Sequence, residues 1–346
     1  MHRRHAVVLP LASLAPTAWA GKALRVLAWP GYAEPEVVQA FERAHGVRVE
    51  LTVIDSDEAL WQRLRRQGDF DVLAINTAEL QRAVNEGLVQ ALDETRLKAL
   101  PPQLPRFRDA SALPGLTRRL SGRLQIYGVP FTYAEMGLIF DRRQISQPPE
   151  SIAELWNPRW RGKVLGFDTG GHNFSLAAQS LGLPSPFRLS DADWPRAVER
   201  LIALRRNVLS FYSQPDEATQ LFRRHGCALM FANYGSQQLT KLKLAGADVG
   251  YALPREGALA WLDCWALTKA CRDPALAHQW IAHLLGPQAS RLLVERQGLA
   301  NTVSAQGSPA GSSRLIWLEP VEDAARRERL WARVRSGDRA ERVLRP

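Results

Sequence analysis

Residues 24–28 form a short apolar run that stops at Trp29-Pro30-Gly31, and residues 35–45 follow with Val37, Val38 and Phe41 at helical spacing. This predicts strand, turn, helix. Residues 47–54 make the next strand, Ser56 opens a helix over 57–67, and the continuous apolar run 70–75 reads as a strand buried on both faces. Strands that alternate with helices build a parallel sheet covered on both sides. Ligands bind such a sheet beyond the carboxyl ends of its strands. Those ends are residues 29–32 and 76–78, so Trp29, Tyr32 and Asn76 are the first candidate site residues.

A second alternation begins after the Pro-rich, basic stretch 100–123. Strands are expected at 126–129, 136–140 and 164–167, with a helix after Gly170-Gly171. Residues 198–206 read as helix, 227–232 and 249–253 as buried strands, and 274–286 and 321–334 as helices. No internal repeat and no low-complexity segment interrupts the chain. Two strand-and-helix sets without a flexible linker between them predict an α/β protein of two lobes facing a cleft. Closing lobes suit capture of a solute.

The amino end sets the expected compartment. His2, Arg3, Arg4 and His5 precede an apolar stretch over 6–14 and then Ala18-Trp19-Ala20, the layout of a cleaved signal peptide over residues 1–20. The mature chain is expected to start near Gly21 and to be free and soluble. Its formal charge of +10 becomes +8 once Arg3 and Arg4 are removed. The arginines come in scattered pairs beside helical periodicity, so solvated helix faces are favoured over a nucleic-acid surface. Cys227, Cys264 and Cys271 have neither metal nor redox spacing. One disulfide among them and three small buried hydrophobes are both open readings.

No nucleophile elbow, HExxH, P-loop or GxGxxG occurs in the sequence. His278 and His283 lie five apart on a helix, a poor spacing for a shared metal ion. No catalytic group, metal site or cofactor is therefore expected. The rival reading is a secreted enzyme in the same cleft, with Asp168 or His172 as general base.

Several stretches together carry a resemblance. They are Trp29-Pro30-Gly31-Tyr32, a helix ending in Phe41-Glu42 and His45-Gly46-Val47, Asp55-Ser56-Asp57-Glu58, Phe70-Asp71-Val72, Gly128-Val129-Pro130-Phe131, Ser213-Gln214, residues 258–263 and Asn301. In this order the chain resembles the bacterial spermidine/putrescine-binding family of periplasmic solute receptors for ABC importers. The resemblance implies a two-lobed periplasmic binding protein of type II, each lobe a mixed, mostly parallel sheet flanked by helices. Lobe one would comprise residues 21–130 and 261–301, and lobe two residues 131–260 and 302–346. The hinges would fall near Phe131 to Tyr133, Ala260 and Asn301. It further implies a monomer in the periplasm whose partners are a small amine-bearing solute and the importer's membrane subunits.

In that family two aromatic residues and an acid cage an ammonium group, and Trp261-Leu262-Asp263 matches the stretch that supplies them. On a strand, Trp261 and Asp263 point the same way, so a cation can meet an indole face and a carboxylate together. The alternative is a core Trp beside an Asp paired with an internal Arg. Trp29 and Tyr32 correspond to walls of the cleft, or else pack the turn onto the following helix.

The departures shape the expected ligand. Relatives that hold polyamines carry acids where this chain has Gly31, Thr169, Gly171, His172 and Ser236, the last following Asn233. Asp168 remains, with its direction open. Asp263 is then the one anionic anchor. Gly170-Gly171 at a helix start would seat a carboxylate, with His172 able to gain a proton, or else form a tight turn. A monoamine or ω-amino acid is accordingly expected to bind better than spermidine or putrescine.

Overall fold

The computed structural model describes residues 22–66, 68–306 and 315–345. The expected leader and the cleavage point before Gly21 lie outside the described residues. Residues 23–76 follow their apolar pattern closely, with β1 (Ala23–Ala28), α1 (Pro35–His45), β2 (Arg48–Val53), α2 (Asp57–Leu64) and β3 (Val72–Asn76), and an unforeseen α3 (Thr77–Asn85) comes next. β1 pairs in parallel with β2 and β3. The two helices that will matter for the site start on side-chain caps. Ser56 Oγ accepts from Ala59 N at 3.3 Å and Asn76 Oδ1 from Glu79 N at 2.9 Å, each cap contributing about 1 kcal/mol.

The strands expected at 126–129 and 136–140 are resolved differently. Residues 123–126 belong to a two-stranded hairpin, while β4 (Val129–Asp141) is one strand of 13 residues, every one buried. Pro130, which lacks the ladder donor, is accommodated where the register slips between Asp263 and Cys264 of the neighbouring strand, a bulge that needs no N–H.

The later elements that build the sheets and the site are β5 (Val164–Phe167), α4 (Gly170–Ser180), β6 (Val208–Tyr212), β7 (Leu229–Ala232), α5 (Ser236–Leu244), β8 (Val249–Ala252), β9 (Ala258–Thr268), α6 (Pro287–Gln297) and α7 (Ala324–Arg335).

The strands run in the order β2-β1-β3-β9-β4 through the first lobe and β4-β7-β5-β6 through the second, with β8 on the other side of β4. The sheets are mixed: β9 is antiparallel to β3 and β4, whereas β1 to β3 and β7 to β6 run parallel. Residues 129–136 of β4 pair with β9, and from Gly137 onward β4 pairs with β7 and β8. Phe131 and Tyr133 thus lie in the part of β4 that neighbours β9. Gly137 is required at the change of partner, because a Cβ there would stand 2.7 Å from the Tyr251 ring. Its N–H instead donates to Tyr251 Oη at 3.0 Å.

Each sheet lies between two apolar layers. Leu24, Phe41, Trp265 and Trp280 cover one face of the first sheet and Leu60, Trp61, Phe107 and Tyr133 the other. Phe174, Trp194 and Trp331 cover one face of the second, and Ile139, Tyr212 and Met230 the other. Trp261 packs against a core layer of each lobe.

The three cysteines are free thiols, Cys227 and Cys264 buried. His278 and His283 are engaged separately, His278 with Pro274 O and Asp93 N, His283 with Val37 O. Among the described residues no helix is long and apolar enough to cross a membrane.

Candidate ligand-binding site

The carboxyl ends of β1 and β3, the middle of β9 and the starts of α2 and α4 converge on one cleft. On the first-lobe wall the chain turns sharply after β1, with Tyr32 N donating to Trp29 O at 3.3 Å. The turn buries Tyr32 edge-on against Phe131, ring centroids 5.4 Å apart, and aims its hydroxyl at Asp263 Oδ2, 2.5 Å away. Asp263 sits on β9 opposite Asn76 of β3 and Thr132 of β4, just before the bulge, and is 6% exposed. Burial pushes its carboxyl up to about 7, and the Tyr32 hydrogen bond opposes that rise. Tyr32 in turn is raised well above its ordinary value by burial and by the Asp263 charge.

Asp57, the first residue of α2, is a second member of this wall, 3.5 Å from Asn76 Nδ2. Its side chain is open to solvent, yet protein crowds it on most sides, the situation of a residue on a cleft wall. That crowding, followed by the charges of Glu79, Asp263 and Glu328, pushes it up to about 7. Asp57 and Asp263 share one property. Among the described residues no arginine or lysine pairs with either. Glu79, by contrast, lies 3.8 Å from Arg82.

The second-lobe wall is aromatic and polar. Phe167 at the end of β5 stacks on His172, with centroids 5.6 Å apart, and meets Tyr234 edge-on at 5.7 Å. Tyr234 is pushed up to about 12 by burial and then by Asp57 across the cleft. Trp261 Nε1 reaches over from β9 to Asn233 O at 2.9 Å, tying the walls together. Ser236 Oγ makes a second tie, donating to Gly298 O at 2.7 Å.

Of the sequence-derived candidates, the structure brings Tyr32, Asn76, Trp261, Asp263 and Asn233 together. Trp29 lies between two core layers of the first lobe, its indole N–H without a partner among the described residues. His172 and Gly171 stand at the start of α4 on the opposite wall. Asp168 points elsewhere: its carboxylate accepts from Trp331 Nε1 at 2.9 Å and pairs with Arg335. Ser236 is committed to Gly298. The alternative of an internal arginine beside Asp263 is not what is found.

Three expectations about charge need correction. Asp263 is not the lone carboxylate, because Asp57, Glu79 and Glu328 act on the same space. The start of α4 is not an open anion seat, because Glu328 Oε1 already accepts from Gly171 N and Thr169 Oγ1, both at 3.1 Å. His172 does not supply a positive charge, because burial, aided by Arg327, pushes it down to about 4, well below neutrality.

Asp57 lies inside a stretch already quoted for its likeness, and its place after a helix cap could have found it. Glu328 had no local signal at all, arriving on a helix near the carboxyl end. A shallow depression lined by Arg63, Arg66, Phe70 and Lys269 shares none of these residues.

The arrangement can hold a small organic cation: carboxylates lacking counter-ions, an indole face, and ties that close one wall on the other.

Residues 36–310 match the family described as bacterial extracellular solute-binding protein. Among curated proteins, the chain is 26% identical to a putrescine/agmatine-binding protein of Pseudomonas aeruginosa over 367 aligned positions, covering 94% of this chain and 95% of that one. Among solved structures, a putative spermidine/putrescine ABC transporter protein from Listeria monocytogenes superposes with a TM-score of 0.72 at 19% identity, covering 91% of this chain and 98% of that one. A GABA receptor structure superposes with a TM-score of 0.70 at 17% identity, covering 92% and 99%. At such identities the two structures speak for the shared two-lobed fold alone.

Proposed function

The chain belongs to the bacterial extracellular solute-binding proteins, and from that premise we propose that its cleft captures a small amine on the periplasmic side of the inner membrane for delivery to an ABC importer. One observation carries this reading. Asp263 by burial, and Asp57 by crowding and then by the charges of Glu79, Asp263 and Glu328, are both pushed up to about 7, and among the described residues no cationic side chain pairs with either. A buried charge without a partner costs several kcal/mol. A ligand ammonium removes that cost, and the face of Trp261 adds ~2 kcal/mol for a desolvated cation.

In this reading Asp263 takes the ammonium, Tyr32 orients the carboxylate, Trp261 covers the cation, and Phe167 with Tyr234 lines the opposite wall. Closure uses the ties of Trp261 to Asn233 and Ser236 to Gly298, so contacts from both lobes select the closed form, which the importer's membrane subunits then engage. The lobes meet along β4 and β9, and we place the bend at the change of partners around Met136 and Gly137.

The family's description as solute-binding proteins supports binding without turnover. The curated relative from Pseudomonas aeruginosa is named for putrescine and agmatine, both of which carry an amine. An ω-amino acid fits less well, since the start of α4 that would seat its carboxylate is filled by Glu328.

The test is calorimetry of the mature protein against putrescine, spermidine, butylamine and 4-aminobutyrate at pH 8. Binding of at least one amine at one site per chain, without turnover, is the expected result. Binding of none at millimolar concentration would end the amine reading.

A further inference from the structure

We propose that the end of the first lobe remote from the cleft, a basic face carrying a leucine-bearing hairpin, docks on an anionic phospholipid surface. The proposal is independent of which solute the cleft holds.

α2 and α3 both begin on the cleft, after Ser56 and Asn76, and both end on this face. The 8 residues of α2 carry the chain about 12 Å away from Asp57. The segment that leaves α3 holds the face together. Its Val84 O accepts from Arg118 Nη1 at 3.3 Å, Glu86 lies 4.0 Å from Arg65, and Leu88 O accepts from Lys269 N at 2.8 Å. Arg63, Arg66 and Lys269 therefore line their shallow depression beside the hairpin that carries Arg118, Arg119 and Arg123. All six are exposed, and among the described residues none of them pairs with a carboxylate. The acids nearby are Asp69 and Glu86, and Glu86 is engaged by Arg82 at 2.9 Å. No acid occurs between Asp109 and Glu135.

The hairpin pairs Thr117–Leu120 with Arg123–Ile126. Ser121 and Gly122 join the strands with φ of 47° and 79°, the left-handed two-residue turn that matches strand twist. Opposed residues share a face and successive pairs alternate. Arg119 with Leu124 thus lies on one side, and Leu120 with Arg123 on the other. Leu120 is 43% and Leu124 38% exposed, two of the five large apolar side chains left exposed among the described residues.

A single exposed leucine is ordinary. Here each leucine is paired across the ladder with an arginine, so a guanidinium can meet a lipid phosphate while the leucine beside it enters the headgroup boundary. A finger with leucine and arginine on both faces suits a medium that surrounds it. A bilayer boundary does so, where a protein surface would cover one face only. Each arginine drawn to an anionic bilayer raises partitioning about fivefold. Held there, the receptor meets an importer by searching in two dimensions, with its cleft free.

The test is vesicle sedimentation of the mature chain at about 0.15 M salt. One vesicle holds equal parts of phosphatidylglycerol and phosphatidylethanolamine, the other phosphatidylcholine alone, and neither holds an importer. The wild type should partition at least tenfold more strongly to the anionic vesicles. Arg119→Glu with Arg123→Glu should abolish most of that binding, a loss of tenfold or more. Leu120→Ser with Leu124→Ser, which leaves the charge unchanged, should cost at least threefold. Arg329→Glu with Arg339→Glu, the same charge change on exposed second-lobe positions, should cost less than threefold.

Equal partitioning of the wild type to the two vesicles, or none to either, overturns the proposal without any variant. Binding only to membranes that contain importer subunits assigns the face to those subunits and overturns it as well. Equal losses from the two arginine pairs would make net charge the cause, and an unchanged leucine variant would remove the hairpin from the contact; either result overturns it.

Discussion

Asp263→Asn should make the empty receptor more stable and at the same time nearly unable to bind. The wild-type carboxyl rises from an ordinary 3.8 to about 7 in the folded protein. The sign follows from proton counts: between those values the folded state holds a proton that the unfolded state has lost, so stability falls as pH rises from about 4 to about 7. At 1.36 kcal/mol per pKa unit the loss above pH 7 is about 4 kcal/mol.

Asparagine mimics the protonated acid, keeps an acceptor for Tyr32 and removes the dependence. Scanning calorimetry of the ligand-free proteins should therefore show equal melting temperatures near pH 4 and a variant several degrees higher at pH 8, at about 2 °C per kcal/mol for a large chain. Isothermal titration at pH 8 should show affinity falling by roughly 2–4 kcal/mol, since truncating one side of a buried charged pair leaves the other charge unpaired. A lower melting temperature at pH 8 with unchanged affinity would refute the reasoning and make Asp263 a structural acid.

Wild-type amine affinity should drop as pH falls through about 7, because Asp57 and Asp263 must be ionised to balance the ligand; titrations at pH 8 and pH 6 that agree within twofold would count against it. Asp168→Asn should lower the melting temperature, through the lost Arg335 pair, and leave binding within twofold. Ser236→Ala removes a tie between the lobes and no ligand contact, so affinity should fall about fivefold for a loss of ~1 kcal/mol, with a smaller compaction on ligand addition by small-angle scattering.

The elements nearest the amino end were legible because their signals are local: a cap at Ser56, a proline at Pro35, an apolar run at 70–75. β4 was misread as two strands because Pro130 looks like a terminator until β9 supplies a bulge opposite it. Asp263 and Trp261 were identified from likeness and share a strand face with a physical reason for doing so. The charge count failed for a different cause. Which carboxylates meet depends on α2, α3, β9 and α7 arriving at one place from four regions of the chain, and periodicity carries no information about that. Glu328 shows it most clearly, since it occupies the very helix start that the glycines at 170 and 171 had suggested for a ligand.

The sharing of β4 and β9 between the sheets also fixes when the protein can fold. β1, β2 and β3 are made early, but the strand that joins β3 to β4 is β9, and its last residue is Thr268. The first sheet stays open-edged until most of the chain has been synthesised, and the second depends on the same β4. Ribosome-bound intermediates shorter than that should lack hydrogen-exchange protection along β3 on the side where β9 pairs. Long loops must close before the β3–β9 and β9–β4 ladders are complete, which slows folding.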